Sequence, residues 1–369
     1  NQPIEISSRS IPVDDRVIIP PHTAAKEHEV LYERFPKLLK KVRDLGLNQI
    51  LYPIDSPKKS IGFVSSSLAY CYLEHVLNLL GLAKSIPILK YGLTYPLDRQ
   101  ILREFVEQVD EVYVVEEKRG FLEEQVSAAL FEMQRDGETG AVKVWGKQFP
   151  GGSPGFPKSK GMNPSIMLQV LAPVLKSIED PSIPVDCVRI DDEVALSEAT
   201  SKYALKAAVR TPSFCPGCPH RDSASVLNRM VDDFEDESYM KEQHASKPVD
   251  LVFHGDIGCY SLLKYRPFNR LMHNLSGMGL GGGTGAGIDP FITNKQLVFM
   301  GDSTFFHSGM TAISDSIKHG QDIAYVILDN KTTAMTGHQP TPGVDVDIMG
   351  TPTFAQDIEQ VVRGMAGSE

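Results

Sequence analysis

Short apolar runs recur along the chain with helix-length stretches between them. Residues 61–64, 86–89 and 112–115 form one set, and residues 251–253, 296–300 and 323–328 form another. Strands that alternate with helices predict parallel pairing through right-handed crossovers. The expected fold class is therefore α/β, with two α/β domains built on mainly parallel sheets. Ahead of the first set, residues 27–47 carry Val30, Leu31, Phe35, Leu38 and Leu39 at helical spacings. Pro36 must kink or divide that stretch, because its ring removes a backbone donor and crowds the preceding turn.

This pattern divides the chain into a connecting arm (1–58), a first α/β domain (59–146), a linker with one helix (147–210), a second α/β domain (211–350) and a C-terminal tail (351–369). The linker reading rests on Gly151, Gly152, Pro154, Gly155 and Pro157, and on the prolines and charges of residues 177–211. No internal repeat or low-complexity tract interrupts the scheme.

Composition narrows the class. With 41% hydrophobic and 23% charged residues, the 369-residue chain is neither disordered nor collagen-like. Its 37 basic against 47 acidic residues give a net charge of -10, which disfavours a phosphate backbone as partner, so nucleic acid is not expected. No run approaches the length of a membrane helix, and the first ten residues lack the apolar centre of a signal peptide, which points to a cytoplasmic protein. The chain begins at Asn1, consistent with processing or with a longer polypeptide. Five cysteines are too few for a disulfide framework. Cys71 and Cys187 lie in apolar or mixed text, whereas Cys215, Cys218 and Cys259 fall in glycine-rich or proline-rich turns and invite a chemical reading.

The chemistry concentrates in the second domain. Gly301-Asp302-Ser303 follows one apolar run directly, and Asp329-Asn330 closes the next, about 25 residues on. Both sets fall at carboxyl ends of strands, where open α/β sheets bind ligands. A carboxylate and an amide oxygen on neighbouring loops suit a hard cation such as Mg²⁺ that also takes phosphate oxygens. A helix expected from about His307 to Gly320 would add free amides for a phosphate. Taken singly, Asp302 would be a helix cap and Asn330 a turn residue; their pairing at two strand ends favours a diphosphate held through Mg²⁺.

That segment resembles the diphosphate motif of thiamine diphosphate enzymes, a Gly-Asp-Gly followed about 25 residues later by Asn-Asn. Ser303 and Asp329 depart from the motif, while Asp302 and Asn330 keep it. Around it stand Phe214-Cys215-Pro216-Gly217-Cys218-Pro219-His220-Arg221, Gly255-Asp256-Ile257-Gly258-Cys259-Tyr260, Gly301-Asp302-Ser303-Thr304-Phe305-Phe306-His307-Ser308-Gly309 and Leu328-Asp329-Asn330-Lys331-Thr332-Thr333-Ala334-Met335-Thr336-Gly337. In this order they resemble the thiamine domain of the 2-oxoacid:ferredoxin oxidoreductase family, most closely the large subunits of its indolepyruvate branch, across residues 211–343. Residues 60–130, with Lys90-Tyr91-Gly92-Leu93-Thr94-Tyr95-Pro96-Leu97 and Val114-Val115-Glu116-Glu117, are similar to the transketolase-C-terminal-like domain that precedes it in that family.

The resemblance implies oxidative decarboxylation of a 2-oxoacid, an aryl pyruvate such as indolepyruvate, to an acyl-CoA. Coenzyme A takes the acyl group and electrons pass singly through iron-sulfur clusters to ferredoxin. It implies Mg²⁺ ligands at Asp302, Asn330 and the Thr332 carbonyl, and diphosphate contacts at Gly301, Ser303, Thr304 and helix amides. His220, Asp256, Ile257, Gly258, Cys259, Gly277, Met278, Met335 and Thr336 complete the expected cofactor site. His307 is either a cap or a polar group facing the substrate carboxylate, and His220 either a turn residue or a diphosphate contact. The family also has an amino-terminal pyrimidine-binding domain, which carries the activating glutamate, and a cysteine-rich carboxyl-terminal domain; neither is recognised in these 369 residues, so an oligomer or further domains are expected.

Cys215-x-x-Cys218 with Cys259 suits zinc or, by the same resemblance, a [4Fe-4S] cluster, although a fourth cysteine is missing after residue 259. The other reading is three small residues in tight turns. Gly277, Gly279 and Gly282 match a dinucleotide fingerprint, with Asp302 20 residues after Gly282. The preceding residues 272–276 make a poor strand and Pro290 arrives too soon for a crossover helix, so the run is read as close backbone approach and tight helix packing. Rival functions are a non-oxidative thiamine-dependent decarboxylase or carboligase, a non-catalytic cofactor-binding subunit, and a zinc-stabilised scaffold.

Overall fold

The computed structural model describes Val13 and residues 17–52, 58–204 and 208–367, grouped into two compact units, residues 1–208 and 209–369. Most of the polar opening of the arm, and residues 53–57 near its end, lie outside the described residues.

The first unit opens with α1 (His22–Glu29), a π-helical turn (Val30–Arg34) and α2 (Phe35–Asp44). Pro36 does not divide the helix: the π-helical turn lies directly ahead of it, where the ladder is already altered and a missing N–H is accommodated. A five-stranded sheet follows in the order β1 (Gln49–Leu51), β3 (Ile88–Tyr91), β2 (Lys59–Ser66), β4 (Val109–Val115), β5 (Lys143–Trp145). All pairs are parallel except β1 with β3. The expected arm is thus partly built into the sheet. Arg43 of α2 also grips the buried Asp98 carboxylate through Nε and Nη2 at 2.9 and 2.6 Å. Helices α3 (Ser67–Leu79), α4 (Arg99–Val106) and α5 (Phe121–Arg135) follow β2, β3 and β4 respectively.

Side chains that alternate along the central strands feed two cores. Ile61, Phe63, Tyr113 and Val115 enter one, and Val64, Val112 and Val114 the other, as the two-residue period of a strand requires. The expectation for residues 147–210 needs correction. They hold two helices, α6 (Pro164–Lys176) and α7 (Cys187–Ala204), and Phe149, Phe156, Met167, Leu171 and Leu175 are buried in the first core. Glycines and prolines there shape turns, while the apolar residues between them bury enough surface to hold the segment against the sheet.

In the second unit, α8 (Pro219–Glu235) and α9 (Glu237–His244) precede a parallel sheet of order β7 (Asn274–Leu275), β6 (Leu251–Gly255), β8 (Lys295–Gly301), β9 (Ile323–Leu328). The poor strand expected at 272–276 supplies only the two residues of β7. The glycine run becomes α10 (Leu280–Ile288). A Cβ on Gly282 would stand 2.7 Å from that of Ala312, so hydrogen alone lets α10 lie this close to α11 (Met310–His319). After β9 come the short hairpin β10 (Thr332–Thr333) and β11 (Gln339–Pro340), then α12 (Ile358–Ala366). The expected tail is part of the unit: Ile358, Val361, Val362 and Met365 pack around Met300, Phe305 and Ile313. Among the described residues, no helix is long and apolar enough to cross a membrane.

Candidate functional site

Strand order in the second unit reverses between β6 and β8, since the chain lays β7 on one side of β6 before placing β8 and β9 on the other. Such a reversal leaves a crevice at the carboxyl ends of the two strands. Its walls come from the loop after β6 (Ile257, Gly258, Cys259, Tyr260), the turn after β8 (Gly301, Asp302, Ser303, Thr304), the segment after β9 (Leu328, Asn330 and residues 332–336), His220 of α8 and Met278.

Asp302 is 2% exposed. Burial, and next the charge of Asp329, push its carboxyl above the ordinary aspartate value, while the Ser303 amide and the Thr341 hydroxyl at 3.3 Å counter the rise. Among the described residues it has no cationic partner. The helix on which it sits also starts earlier than expected. A helical turn (Asp302–Thr304) and a π-turn (Phe305–Gly309) lead into α11, so the amino end lies at the strand terminus itself. The Gly301 backbone is extended and the chain turns helical at once, which the expectation of a start near His307 missed.

The loop after β9 faces that turn. The Asn330 side-chain oxygen accepts from the Thr332 amide at 3.2 Å, and its amide nitrogen lies 3.4 Å from His220 Nε2. Burial lowers the His220 pKa, and the nearby Asp302 charge opposes that shift. Lys331 turns to Asp329 at 2.8 Å.

Behind the wall, Asp256 is fully buried and accepts from the Gly279 amide at 3.1 Å and from the Tyr260 hydroxyl. Tyr260 Oη is also 3.3 Å from Thr304 Oγ1. Asp256 thereby joins the loop after β6 to the Met278-Gly279 loop and, through Tyr260, to the turn after β8. Burial raises its pKa, with the Tyr260 hydrogen bond the largest opposing influence. Two glycines permit this closeness. A Cβ on Gly258 would stand 2.3 Å from the Tyr260 ring, and one on Gly279, whose φ is +80°, would stand 2.1 Å from Ser308 Oγ.

Most expected cofactor residues therefore line one crevice. Asp256 does not form part of its wall but braces it, and Gly277 is absent from the wall as well. His307 is exposed on the π-turn, with Nδ1 3.0 Å from Ser308 Oγ, and does not contribute to the wall. Tyr260, Leu328, Thr333 and Ala334 line the crevice without having been singled out; a tyrosine four residues after a strand-end aspartate was the available signal for Tyr260.

The three turn cysteines lie near the crevice end of the unit, with Cys259 in the crevice wall. The Cys259 thiol is raised by burial and then by the neighbouring Cys218 and Cys215, so the three share a neighbourhood. Among the described residues, however, no three His, Cys, Asp or Glu side chains are placed to hold a metal ion. Cys215 and Cys218 close a turn with a 3.2 Å backbone bond ahead of α8, and Cys259 opens a 3-10 turn.

Comparisons with known proteins agree with this architecture. The indolepyruvate oxidoreductase domain family matches residues 53–190, and the thiamine pyrophosphate enzyme C-terminal TPP-binding domain family matches residues 256–368. The chain is 31% identical over 349 residues to the indolepyruvate oxidoreductase subunit IorA of Methanothermobacter thermautotrophicus, covering 95% of this chain and 50% of that protein. It is 30% identical over 360 residues to the IorA subunit of Archaeoglobus fulgidus, covering 94% of this chain and 48% of the relative. The chain thus spans about half the length of the curated relatives it matches. A solved 2-oxoglutarate:ferredoxin oxidoreductase from Magnetococcus marinus shares 17% identity, covers 42% of this chain and 52% of that chain, and superposes with a TM-score of 0.30, too distant to carry an argument.

Proposed function

The chain belongs to the family of the indolepyruvate oxidoreductase subunits IorA, within the 2-oxoacid:ferredoxin oxidoreductases, and from that premise we infer that it is the thiamine diphosphate-holding part of an oxidative 2-oxoacid decarboxylase. The proposed substrate is an aryl pyruvate such as indolepyruvate, with coenzyme A as acyl acceptor and ferredoxin as electron acceptor. The observation that carries the reading is the buried Asp302 carboxylate at the end of β8, without a cationic partner among the described residues and facing the Asn330 loop across the crevice.

A carboxylate held above its ordinary pKa by burial and by a second acid fits a site that receives a divalent cation. Asp302, the Asn330 side-chain oxygen and the Thr332 carbonyl would hold Mg²⁺, which suits this all-oxygen donor set. Ser303, Thr304 and the amides at the start of their helix would hold the diphosphate. His220 would serve as a neutral contact, since burial lowers its pKa. Ile257, Gly258, Cys259, Met278, Met335 and Thr336 would exclude water around the ring portion. When bound, thiamine diphosphate supplies the carbon nucleophile for the keto carbon and accepts the electrons left as CO₂ departs. The residues of this chain bind and orient; the activating carboxylate and the pyrimidine-binding surface would come from elsewhere in an oligomer, meeting this unit beside residues 277–287.

The test is reduction of a low-potential viologen by the purified protein with its co-purifying subunits, given coenzyme A and, in turn, indolepyruvate, pyruvate and 2-oxoglutarate. Coenzyme A-dependent reduction that is fastest with indolepyruvate is expected. Release of CO₂ without dye reduction would instead mark a non-oxidative decarboxylase.

A further inference from the structure

A second cavity in the same unit shares no wall residue with the cofactor crevice. It is open to solvent, measures about 270 Å³ and lies between the start of α8 and the segment that follows the 3-10 turn Cys259–Lys264. Phe214 and Phe268, both buried and edge-on at 6.0 Å, meet Leu262 and Tyr265 in its wall. Arg221 and Arg266 complete the polar part.

The charge pattern here is unusual for this chain. Its net charge is -10, so carboxylates are plentiful, and nearby Arg270 is paired with Asp232 and Glu235 at 2.5 and 2.6 Å. Among the described residues, Arg221 and Arg266 have no ion-pair partner, and no carboxylate stands in the cavity wall. Two guanidiniums around one concavity offer forked donors suited to a phosphate or carboxylate. The adjoining rings offer an apolar seat against which a planar ring can pack.

We propose that this cavity binds an aromatic anion, a planar ring body seated against Phe214, Tyr265 and Phe268 with its phosphate or carboxylate held by Arg221 and Arg266. The proposal does not depend on the reaction inferred for the cofactor crevice.

Calorimetric titration of the purified protein, with its co-purifying subunits, tests it with four probes: adenosine 3′,5′-bisphosphate, indole-3-acetate, adenosine and inorganic phosphate. At least one of the two aromatic anions should bind once per chain, about tenfold or more tighter than adenosine or phosphate, and which one does so tells whether the site prefers a phosphate or a carboxylate. Arg221→Ala and Arg266→Ala should each weaken that binding by about tenfold or more, with the fold verified by circular dichroism. Asp302→Ala should leave it unchanged, which separates this site from the cofactor crevice. The proposal is overturned if neither aromatic anion saturates, if phosphate alone binds as tightly, if Asp302→Ala removes the binding, or if both arginine variants bind like the parent.

Discussion

The Thr333 hydroxyl donates to Ser303 Oγ at 2.9 Å, across 30 residues of sequence. This bond ties the segment after β9 to the first helical turn after β8, so the two strand ends that carry Asn330 and Asp302 are joined directly. Thr333→Val keeps the side-chain shape and removes the donor. The expected outcome is weaker thiamine diphosphate binding with little change in unfolding, the lost bond costing about 0.5–1.5 kcal/mol. Paired calorimetric and thermal-unfolding measurements check it; an unchanged dissociation constant would count against a role for this bridge.

Asp256 and Tyr260 brace the crevice from behind, and Tyr260→Phe removes the hydroxyl that serves both Asp256 and Thr304. A buried acceptor then loses a donor, so stability should fall by about 1–3 kcal/mol. Chemical denaturation measures this directly, and a variant as stable as the parent would show that the hydroxyl contributes nothing.

Gly279 has φ +80° and no room for a Cβ beside Ser308. Gly279→Ala should destabilise the protein by about 1–3 kcal/mol and loosen the Met278 loop, because the backbone strain and the clash act together. Urea midpoints and limited proteolysis at this loop test the expectation; wild-type behaviour in both would contradict it.

Much of this framework is legible in the sequence because the strands are apolar runs closed by unusual residues. The runs at 296–300 and 323–328 become β8 and β9, and Asp302, Ser303 and Asn330 that follow them reach one crevice. The polar interior was not legible. His254 lies inside β6, with Nε2 2.8 Å from Gln296 Oε1 and Nδ1 2.7 Å from the Asn274 amide nitrogen, so three strands share one buried network that hydropathy reads as surface. The linker expected at 147–210 differs for the converse reason, since proline and glycine punctuation masks apolar residues that enter the first core. The π-turn that carries His307 has no signal in periodicity at all.

The raised pKa values of Asp302 and Asp256 set a pH dependence. From the ordinary value of 3.8 up to the raised folded value, the native state binds more protons than the unfolded chain, so these groups lower stability as pH rises through that window. In the magnesium-free protein, Asp302→Asn should therefore gain thermal stability relative to the parent as pH climbs from about 4 to 7. Adding Mg²⁺ with thiamine diphosphate should reverse the order by stabilising the parent alone. Melting temperatures of both proteins across this range provide the check, and parallel curves under all conditions would refute the effect.

The most direct measurement of the central claim is calorimetric titration of thiamine diphosphate into the purified protein with its co-purifying subunits, with and without Mg²⁺, for the parent and for Asp302→Ala. Saturable binding at one cofactor per chain, dependent on Mg²⁺ and lost in the folded Asp302→Ala variant, is the predicted result. Binding of equal affinity without Mg²⁺, or undiminished in Asp302→Ala, would contradict the assignment of the crevice between β6 and β8 as the cofactor site.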